Sequence, residues 1–238
     1  MIVEIMYREF ISYGEKETTV YLEKLFPEAE FVYTGYKDTP YFVDRKPDLI
    51  FFGPMPESVM DKIVVKLEPY RDRIKELVED DVMFIILNNA MDMFGASIEV
   101  KNGPDTKSLG IFDYKTVRDY DKRHSEIMVA DFEGHPIVGN VLGFSSYYGN
   151  ENAYLYEATH PKIGFNLETP YGGYRYRNAF LSELAGCILL INPYLTKKLR
   201  KHFMGDEVIP FEEQVQYIYD QNLMKLQVNP NFAKAMQS

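Results

Sequence analysis

The sequence predicts an α/β protein with a mostly parallel central sheet and an antiparallel β extension. In the first 95 residues, continuous apolar segments of strand length alternate with amphipathic segments of helical period, which is typical of parallel strands covered on both faces. From Lys101 onward, shorter strand candidates are divided by turn clusters such as Asn102-Gly103-Pro104, and this pattern favours antiparallel pairing. With 238 residues, the chain is long enough for one large domain with a buried core.

The amino-terminal elements follow from the hydrophobic pattern. We expect strands at residues 2–6, 30–33, 48–52 and 82–87 and helices at 18–26 and 57–79. Pro69 lies inside the second of these helices and has no amide hydrogen to donate, so it is expected to kink or break that helix. Gly53-Pro54 ends the third strand.

The remaining elements are shorter and end in a helical appendage. Strands are expected at residues 109–114, 126–132, 137–144, 154–156 and 179–184. Asn192-Pro193 supplies a helix start, with an asparagine cap and proline at the first helical position, and that helix is expected to reach about His202. We divide the chain into a main domain at 1–204 and an extension at 205–238, which holds a helix at 211–226 and a polar tail.

Composition and charge exclude several classes of function. The net charge is −10, and the lysines and arginines form no dense cluster, so direct binding of nucleic acid is not expected. No segment approaches the roughly 18 apolar residues of a membrane span, and no leader segment is recognisable, so we expect a cytoplasmic protein without membrane contact. Cys187 is the only cysteine and the four histidines lack ligand spacing, so we expect no disulfide, no metal site and no cofactor.

One corner of the predicted sheet holds an unusual residue. Residues 82–95 predict a buried strand that passes through a tight turn into a helix, with Asn88 at the corner. In α/β enzymes such a corner presents a nucleophile, but an amide cannot be activated by a general base to attack a carbonyl. Asparagine tolerates positive φ better than most residues, so Asn88 either satisfies the strained turn or binds a ligand.

Six segments across residues 1–203 form a recognisable series. They are Tyr13-Gly14-Glu15-Lys16, 48–53, 84–95, 109–113, 138–144 and 174–193. In order and spacing they resemble class I glutamine amidotransferases, in particular the branch that contains cobyric acid synthase glutaminase domains and the glutaminase subunit of lipid II isoglutaminyl synthase. The resemblance implies a flavodoxin-like three-layer sandwich. In active relatives the glutaminase works with a synthetase that receives the ammonia.

The resemblance also implies where the catalytic groups would stand. Glutaminase action needs a cysteine nucleophile, a histidine base and backbone N–H groups for the oxyanion. The cysteine position is Asn88, the histidine position is Ala185, and the glycine-rich loop begins with Gly53, Pro54 and Met55. If position 54 supplied the oxyanion donor, proline would have no N–H to give. We therefore expect no glutaminase activity.

Five further residues are candidates around the same corner. Asn89 and Asp92 follow in the first helical turn, and Asp92 either faces the pocket mouth or is a solvated residue that complements the helix N-terminus. Arg123 lies where the family carries a substrate-contacting arginine, with a surface ion pair as the alternative. Glu183 occupies a family tyrosine position and could point toward the site. Cys187 is either a displaced nucleophile or a small apolar packing residue.

Two hypotheses of different classes follow. The first is a catalytically inactive amidotransferase-like protein that binds a synthetase or Mur-ligase-like partner, or an amino-acid-like ligand. Partner binding is the property most easily retained when chemistry is lost. The second is an enzyme with altered hydrolase or transferase chemistry in a pocket lined by Asn88, Asp92, Arg123 and Glu183.

The contents of the pocket decide between these roles. A pocket plugged by Met55 or Tyr147 favours a protein scaffold, whereas open polar space between Asn88 and Ala185 favours ligand binding. A buried Glu183 with a raised pKa favours altered chemistry.

Overall fold

The computed structural model describes residues 1–149, 151–160 and 166–228. Across these ranges the chain is a mixed α/β protein with a ten-stranded sheet, a three-stranded sheet and five α-helices. The strands are β1 (Ile2–Met6), β2 (Glu30–Thr34), β3 (Leu49–Phe52), β4 (Met83–Leu87), β5 (Ser97–Val100), β6 (Tyr114–Arg118), β7 (His124–Phe132), β8 (His135–Gly143), β9 (Ser145–Gly149), β10 (Tyr154–His160), β11 (Tyr171–Tyr176), β12 (Ala179–Ser182) and β13 (Leu184–Ala185). The helices are α1 (Glu15–Leu25), α2 (Glu57–Leu67), α3 (Arg71–Glu79), α4 (Pro193–Met204) and α5 (Glu212–Val228).

Five neighbouring strands form the parallel half of the large sheet, in the order β2-β1-β3-β4-β12. Every residue of β3 and β4 is buried, because α2 and α3 pack on one face of the sheet while α1 and α4 pack on the other. The carboxyl ends of these strands meet at one edge, which is where open α/β sheets place their sites.

The other half of the large sheet is antiparallel and runs from β12 through β11, β10, β7 and β8 to β13. α5 lies beside it, where Leu226 clusters with Val129 and Val138 and the Tyr219 hydroxyl donates to the carbonyl of Pro136 at 2.7 Å. β5, β6 and β9 form the separate small sheet, with β5 parallel and β9 antiparallel to β6. In the described part of the chain, no helix is both long and apolar enough to cross a membrane.

The first half of the chain follows the sequence prediction closely. The four expected strands are confirmed as β1 to β4, each within one residue of its predicted ends. Pro69 breaks the expected long helix, so α2 ends at Leu67 and α3 begins at Arg71. α1 begins at Glu15, three residues before its predicted start.

The later part of the chain departs further from the prediction. The sequence does not predict β5, β9 or β11, and the strand expected at 179–184 is divided into β12 and β13. The strand expected at residues 109–114 is wrong except for Tyr114, because backbone N–H groups of 109–112 donate instead to carbonyls of the segment that follows β4. α4 begins at Pro193 as expected, but Asn192 does not cap it. The Asn192 side chain instead accepts a hydrogen bond from the N–H of Val138 in β8 and donates one to the Val138 carbonyl. The helix expected at 211–226 is α5, while residues 229–238 of the predicted tail lie outside the described residues.

Candidate functional site

β4 ends in a strained corner at the carboxyl edge of the parallel strands. Leu87 is extended, Asn88 has a φ of +51°, and Asn88–Met93 forms a 3-10 helix. The positive φ expected here is confirmed, and asparagine is one of the few residues other than glycine that adopt it readily. Only 2% of Asn88 is exposed, so other parts of the chain cover the corner.

The Asn88 side chain ties two strand ends together. Its Nδ2 donates to the carbonyl of Glu183 at 2.7 Å, which joins the end of β4 to the residue that follows β12. The Tyr147 hydroxyl lies 3.4 Å from the backbone carbonyl of Asn88. Within the described residues, Asn88 Oδ1 has no hydrogen-bond partner. Only Nδ2 of the Asn88 amide therefore stabilises the turn by a hydrogen bond.

Asn89 closes the loop that follows β3. Its Oδ1 accepts from the N–H of Met55 at 3.1 Å, and its Nδ2 donates to the Met55 carbonyl at 2.8 Å and to Glu57 Oε1 at 3.1 Å. The carbonyl of Pro54 accepts from the Ser12 N–H at 2.9 Å. Since Pro54 has no N–H and that of Met55 is already bonded, neither is free to hold an oxyanion.

Asp92 forms a buried ion pair with Arg118. Arg118 Nη2 and Nε donate to Asp92 Oδ2 at 2.9 and 3.1 Å, and the two side chains are 1% and 0% exposed. The Ser145 hydroxyl donates to the same oxygen at 2.7 Å, and the Tyr147 hydroxyl donates to Oδ1 at 3.0 Å. Such a set of donors offsets the desolvation of a buried carboxylate.

The burial of Asp92 corrects the expectation of a solvated residue at a helix start. Complete burial raises the pKa of Asp92, and the Arg118 guanidinium together with the two hydroxyl donors opposes that rise. The sequence pattern placed Asp92 on an isolated helical turn. The structure instead covers that turn with the small sheet, so the side chain points into protein.

Arg118 is a site residue that the sequence reasoning missed. Alternation along β6 puts Tyr114, Thr116 and Arg118 on the buried face and exposes Lys115. This two-residue period is visible in the sequence and could have placed Arg118 on the inner face. Nothing in the local pattern indicates which carboxylate it meets.

A cavity of about 10 Å³ remains beside the corner, which is room for about one water molecule. Residues that line it come from the corner itself (Asn88), from β7 (His124), from β9 in the small sheet (Ser145 and Tyr147) and from the residue after β12 (Glu183). Tyr147 is held in place by its bond to Asp92. Among the described residues, the space beside Asn88 is therefore a small cavity lined by protein side chains.

Glu183 is buried beside the cavity, with 3% of its surface exposed. Its Oε2 accepts from the N–H of Gly173 at 2.7 Å, and a Cβ at Gly172 would lie 2.4 Å from Oε1. Gly172 therefore makes room for the carboxyl group, and Gly173 supplies an N–H to it. Among the described residues Oε1 has no hydrogen-bond partner, and burial raises the pKa of Glu183.

Two other predicted positions lie apart from this chemistry. Ala185 is fully buried in β13, opposite Asn140 of β8, and its methyl group has no proton to exchange. Arg123 is exposed in the turn before β7 and does not line the cavity. The structure thus brings Asn88 and Glu183 together, whereas Arg123 stays at the surface.

Cys187 adopts the left-handed region with a φ of +61°, and its Sγ donates to the carbonyl of Gly14 at 3.0 Å. Partial burial and the neighbouring Glu15 carboxylate raise the pKa of Cys187 to about 11, the opposite of an activated thiolate. Glu15 Oε1 accepts from the Cys187 N–H at 2.9 Å. Within the described ranges, no three acidic, histidine or cysteine side chains are placed to share a metal ion.

Known glutamine amidotransferases share this fold. One solved glutamine amidotransferase gives a TM-score of 0.54 at 13% identity, with 91% of this chain and 98% of that chain covered. Another, from Thermotoga maritima, gives 0.50 at 10% identity, with 99% and 95% covered. No family model matches the sequence, and no curated protein matches it significantly. At such identities the likeness concerns the fold alone, so the chain has a glutamine amidotransferase-like fold.

Removing either partner of the buried ion pair should destabilise the protein strongly. We expect Asp92→Asn and Arg118→Met each to lower the free energy of unfolding by about 3–5 kcal/mol, because each breaks the buried pair. Asp92→Asn should lie at the lower end of this range, since Arg118 Nη1 keeps its 3.3 Å contact with Asp61. Chemical denaturation measures the loss. The double variant should lose less than the sum of the two single variants, by about 0.5–3 kcal/mol.

The surface pair of Lys107 with Glu68, whose charged atoms lie 3.3 Å apart, supplies the control. Lys107→Met should cost less than about 1 kcal/mol, because solvent screens that pair. If both single variants of the buried pair were as mild as this control, the ion pair would not be what holds the corner closed.

Glu183 predicts a pH-dependent stability. Because its pKa is raised above the ordinary value of 4.5, the folded state holds this proton more tightly than the unfolded chain does. Its contribution is complete below about pH 4.5 and is lost as the pH rises through the raised folded pKa. The glutamine side chain of Glu183→Gln stays neutral at every pH. Urea denaturation should therefore show that this variant loses less stability than the unaltered protein as the pH rises through that pKa. Parallel pH profiles for the two proteins would contradict the raised pKa.

Proposed function

We propose that this chain is a catalytically inactive glutamine amidotransferase-like protein that acts by binding a synthetase or ligase partner. The closed corner carries this proposal, since the cavity beside Asn88 has room for about one water molecule and is lined by Tyr147, whose hydroxyl lies 3.4 Å from the Asn88 carbonyl. The nucleophile position is an amide and the base position, Ala185, is a methyl group. Neither group performs the transfer that glutaminase chemistry requires.

The finer classification belongs to the same proposal. The strand order β2-β1-β3-β4-β12, with helices on both faces, supports a flavodoxin-like three-layer sandwich. The six motif segments support the branch of cobyric acid synthase glutaminase domains and lipid II isoglutaminyl synthase. A cytoplasmic location suits the single Cys187 and a partner that consumes ATP.

Binding of a small amino-acid-like ligand is the less supported form of the proposal. The polar atoms that face the corner are mostly engaged, with Asn88 Nδ2 bonded to Glu183 and Asn89 bonded to Met55. A ligand would have to displace Tyr147, which is bonded to the buried Asp92. A protein partner makes no such demand.

A second candidate function keeps chemistry at the same corner. Glu183 is buried, has a raised pKa and contacts Asn88 through its backbone, and perturbed acids of this kind are enriched at catalytic sites. An ester, amide and glycoside substrate panel tests this reading. Turnover that Glu183→Gln abolishes, while the fold is kept, would favour it over the inactive scaffold.

The glutaminase prediction is specific to the corner. Purified protein should release no ammonia from glutamine above the level of an Asn88→Ala variant, measured by coupled glutamate dehydrogenase assay. Loss of one catalytic group alone costs several orders of magnitude in rate. The Asn88→Cys, Ala185→His double variant should also stay inactive, because the cavity beside position 88 has room for about one water molecule and not for glutamine. Ammonia release by the unaltered protein would overturn the proposal.

Partner binding is tested with the full-length tagged protein. We expect an ATP-dependent ligase to co-purify with it and to rebind when both proteins are purified separately. The Asn88→Ala variant should retain the ligase, because the Asn88 side chain is buried and does not face a docked protein. A monomer that binds neither a ligase nor glutamine would count against both forms of the proposal.

A further inference from the structure

A second cavity lies between the large sheet and α4. It measures about 160 Å³, whereas protein interiors contain few voids larger than a water molecule. Its lining includes Leu87 and Ser182, the residues just before Asn88 and Glu183, but none of the side chains that line the corner cavity. The two cavities are therefore separate sites.

The walls of this cavity are apolar. Met83, Ile85 and Phe180 form the sheet side, and Leu195 and Leu199 form the helix side. The helix residues are four apart, so they lie on one face of α4. An apolar cavity of about 150 Å³ with a comparable lining stays dry and accepts benzene in another protein, which sets the size of an apolar body that fits here.

The rim is basic. Arg175 and Lys198 line the cavity and lie over its aromatic walls, with 5.1 Å from the Arg175 Cζ to the ring centroid of Phe180 and 5.4 Å from the Lys198 Nζ to that of Phe132. His202 completes the basic set. No aspartate or glutamate of the described residues lines the cavity. Tyr156, Asn178 and Ser182 also line the cavity, so the cations lie at the edge of a mostly apolar space.

One carboxylate stands just outside the rim. Glu133 pairs with Arg175 at 3.2 Å and also with Lys198. A single carboxylate faces two cations, so the rim keeps a net positive charge. A ligand carboxylate at this position would share the donors that now serve Glu133.

We propose that this cavity binds a monocarboxylate whose apolar body is about the size of a benzene ring. The ring lies between α4 and the sheet, and the carboxylate meets Arg175 and Lys198. This site is independent of the proposed function at the Asn88 corner. Either can fail without the other.

The test compares three probes that share one body and differ in charge. They are 3-phenylpropionate, 3-phenylpropan-1-ol and 3-phenylpropylamine, titrated into the full-length protein and followed through the methyl NMR signals of Ile85, Ile137 and Leu195. We expect saturable shifts at these cavity methyls, with the carboxylate binding most tightly and the amine most weakly. Each exposed charge contact should change the affinity by about two- to fivefold.

Three single substitutions separate the rim from the apolar cavity. Lys198→Gln should weaken binding of the carboxylate probe and leave binding of the alcohol probe unchanged. Glu133→Gln frees Arg175 and Lys198 from their pairs, so it should tighten binding of the carboxylate probe. Lys197→Gln is the matched control, because Lys197 is the adjacent residue on α4, pairs with Glu212 and does not line the cavity.

Two kinds of result would overturn this assignment. Absence of saturable shifts, or shifts that spread over the surface instead of the cavity methyls, would remove the site. Equal affinity for the carboxylate and amine probes, or no effect of Lys198→Gln on binding of the carboxylate probe, would show that the cavity does not select carboxylates. Binding of the amidotransferase partner bears on neither result.

Discussion

The buried ion pair of Asp92 with Arg118 is the interaction on which the rest of the candidate site depends. Asp92 belongs to the 3-10 helix after β4, and Arg118 belongs to the small sheet, so the pair fastens that sheet over the corner. Two buried charges are costly unless their remaining polar atoms are bonded, and hydroxyls from β9 complete this set. Because Tyr147 is one of those donors, the same network that satisfies Asp92 also fills the space beside Asn88.

The sequence predicts the parallel half of the fold and the strained corner because both depend on local patterns. The sequence alone indicates continuous apolar strands and an asparagine that tolerates positive φ. It does not indicate the ion pair, since Asp92 and Arg118 are 26 residues apart and each has an ordinary surface interpretation. β11 is also missed, because Gly172-Gly173 lowers its strand propensity. The reason for Gly172, room for the carboxyl group of Glu183, exists only in the folded chain.

The corner is held by hydrogen bonds among its own groups. A glutamine amidotransferase-like fold supplies the strand order and the strained turn, but the groups that stand there bond to one another. Asn88 joins β4 to the residue after β12, and Asn89 bonds the loop that would otherwise present backbone donors. These bonds stabilise the corner, while Asn88 Oδ1 and Glu183 Oε1 remain without a hydrogen-bond partner among the described residues. The cavity under α4 is the larger of the two spaces and shares no lining residue with the corner.

Solvent access to position 88 tests the closed corner most directly. An Asn88→Cys, Cys187→Ser variant, checked for folding by circular dichroism, carries a single thiol at the corner. Its alkylation by iodoacetamide is followed by mass spectrometry under native and unfolding conditions. A closed corner predicts alkylation orders of magnitude slower in the native protein than in the unfolded chain, limited by local opening. Native alkylation as fast as that of the unfolded chain would show an open pocket and would contradict the closed corner.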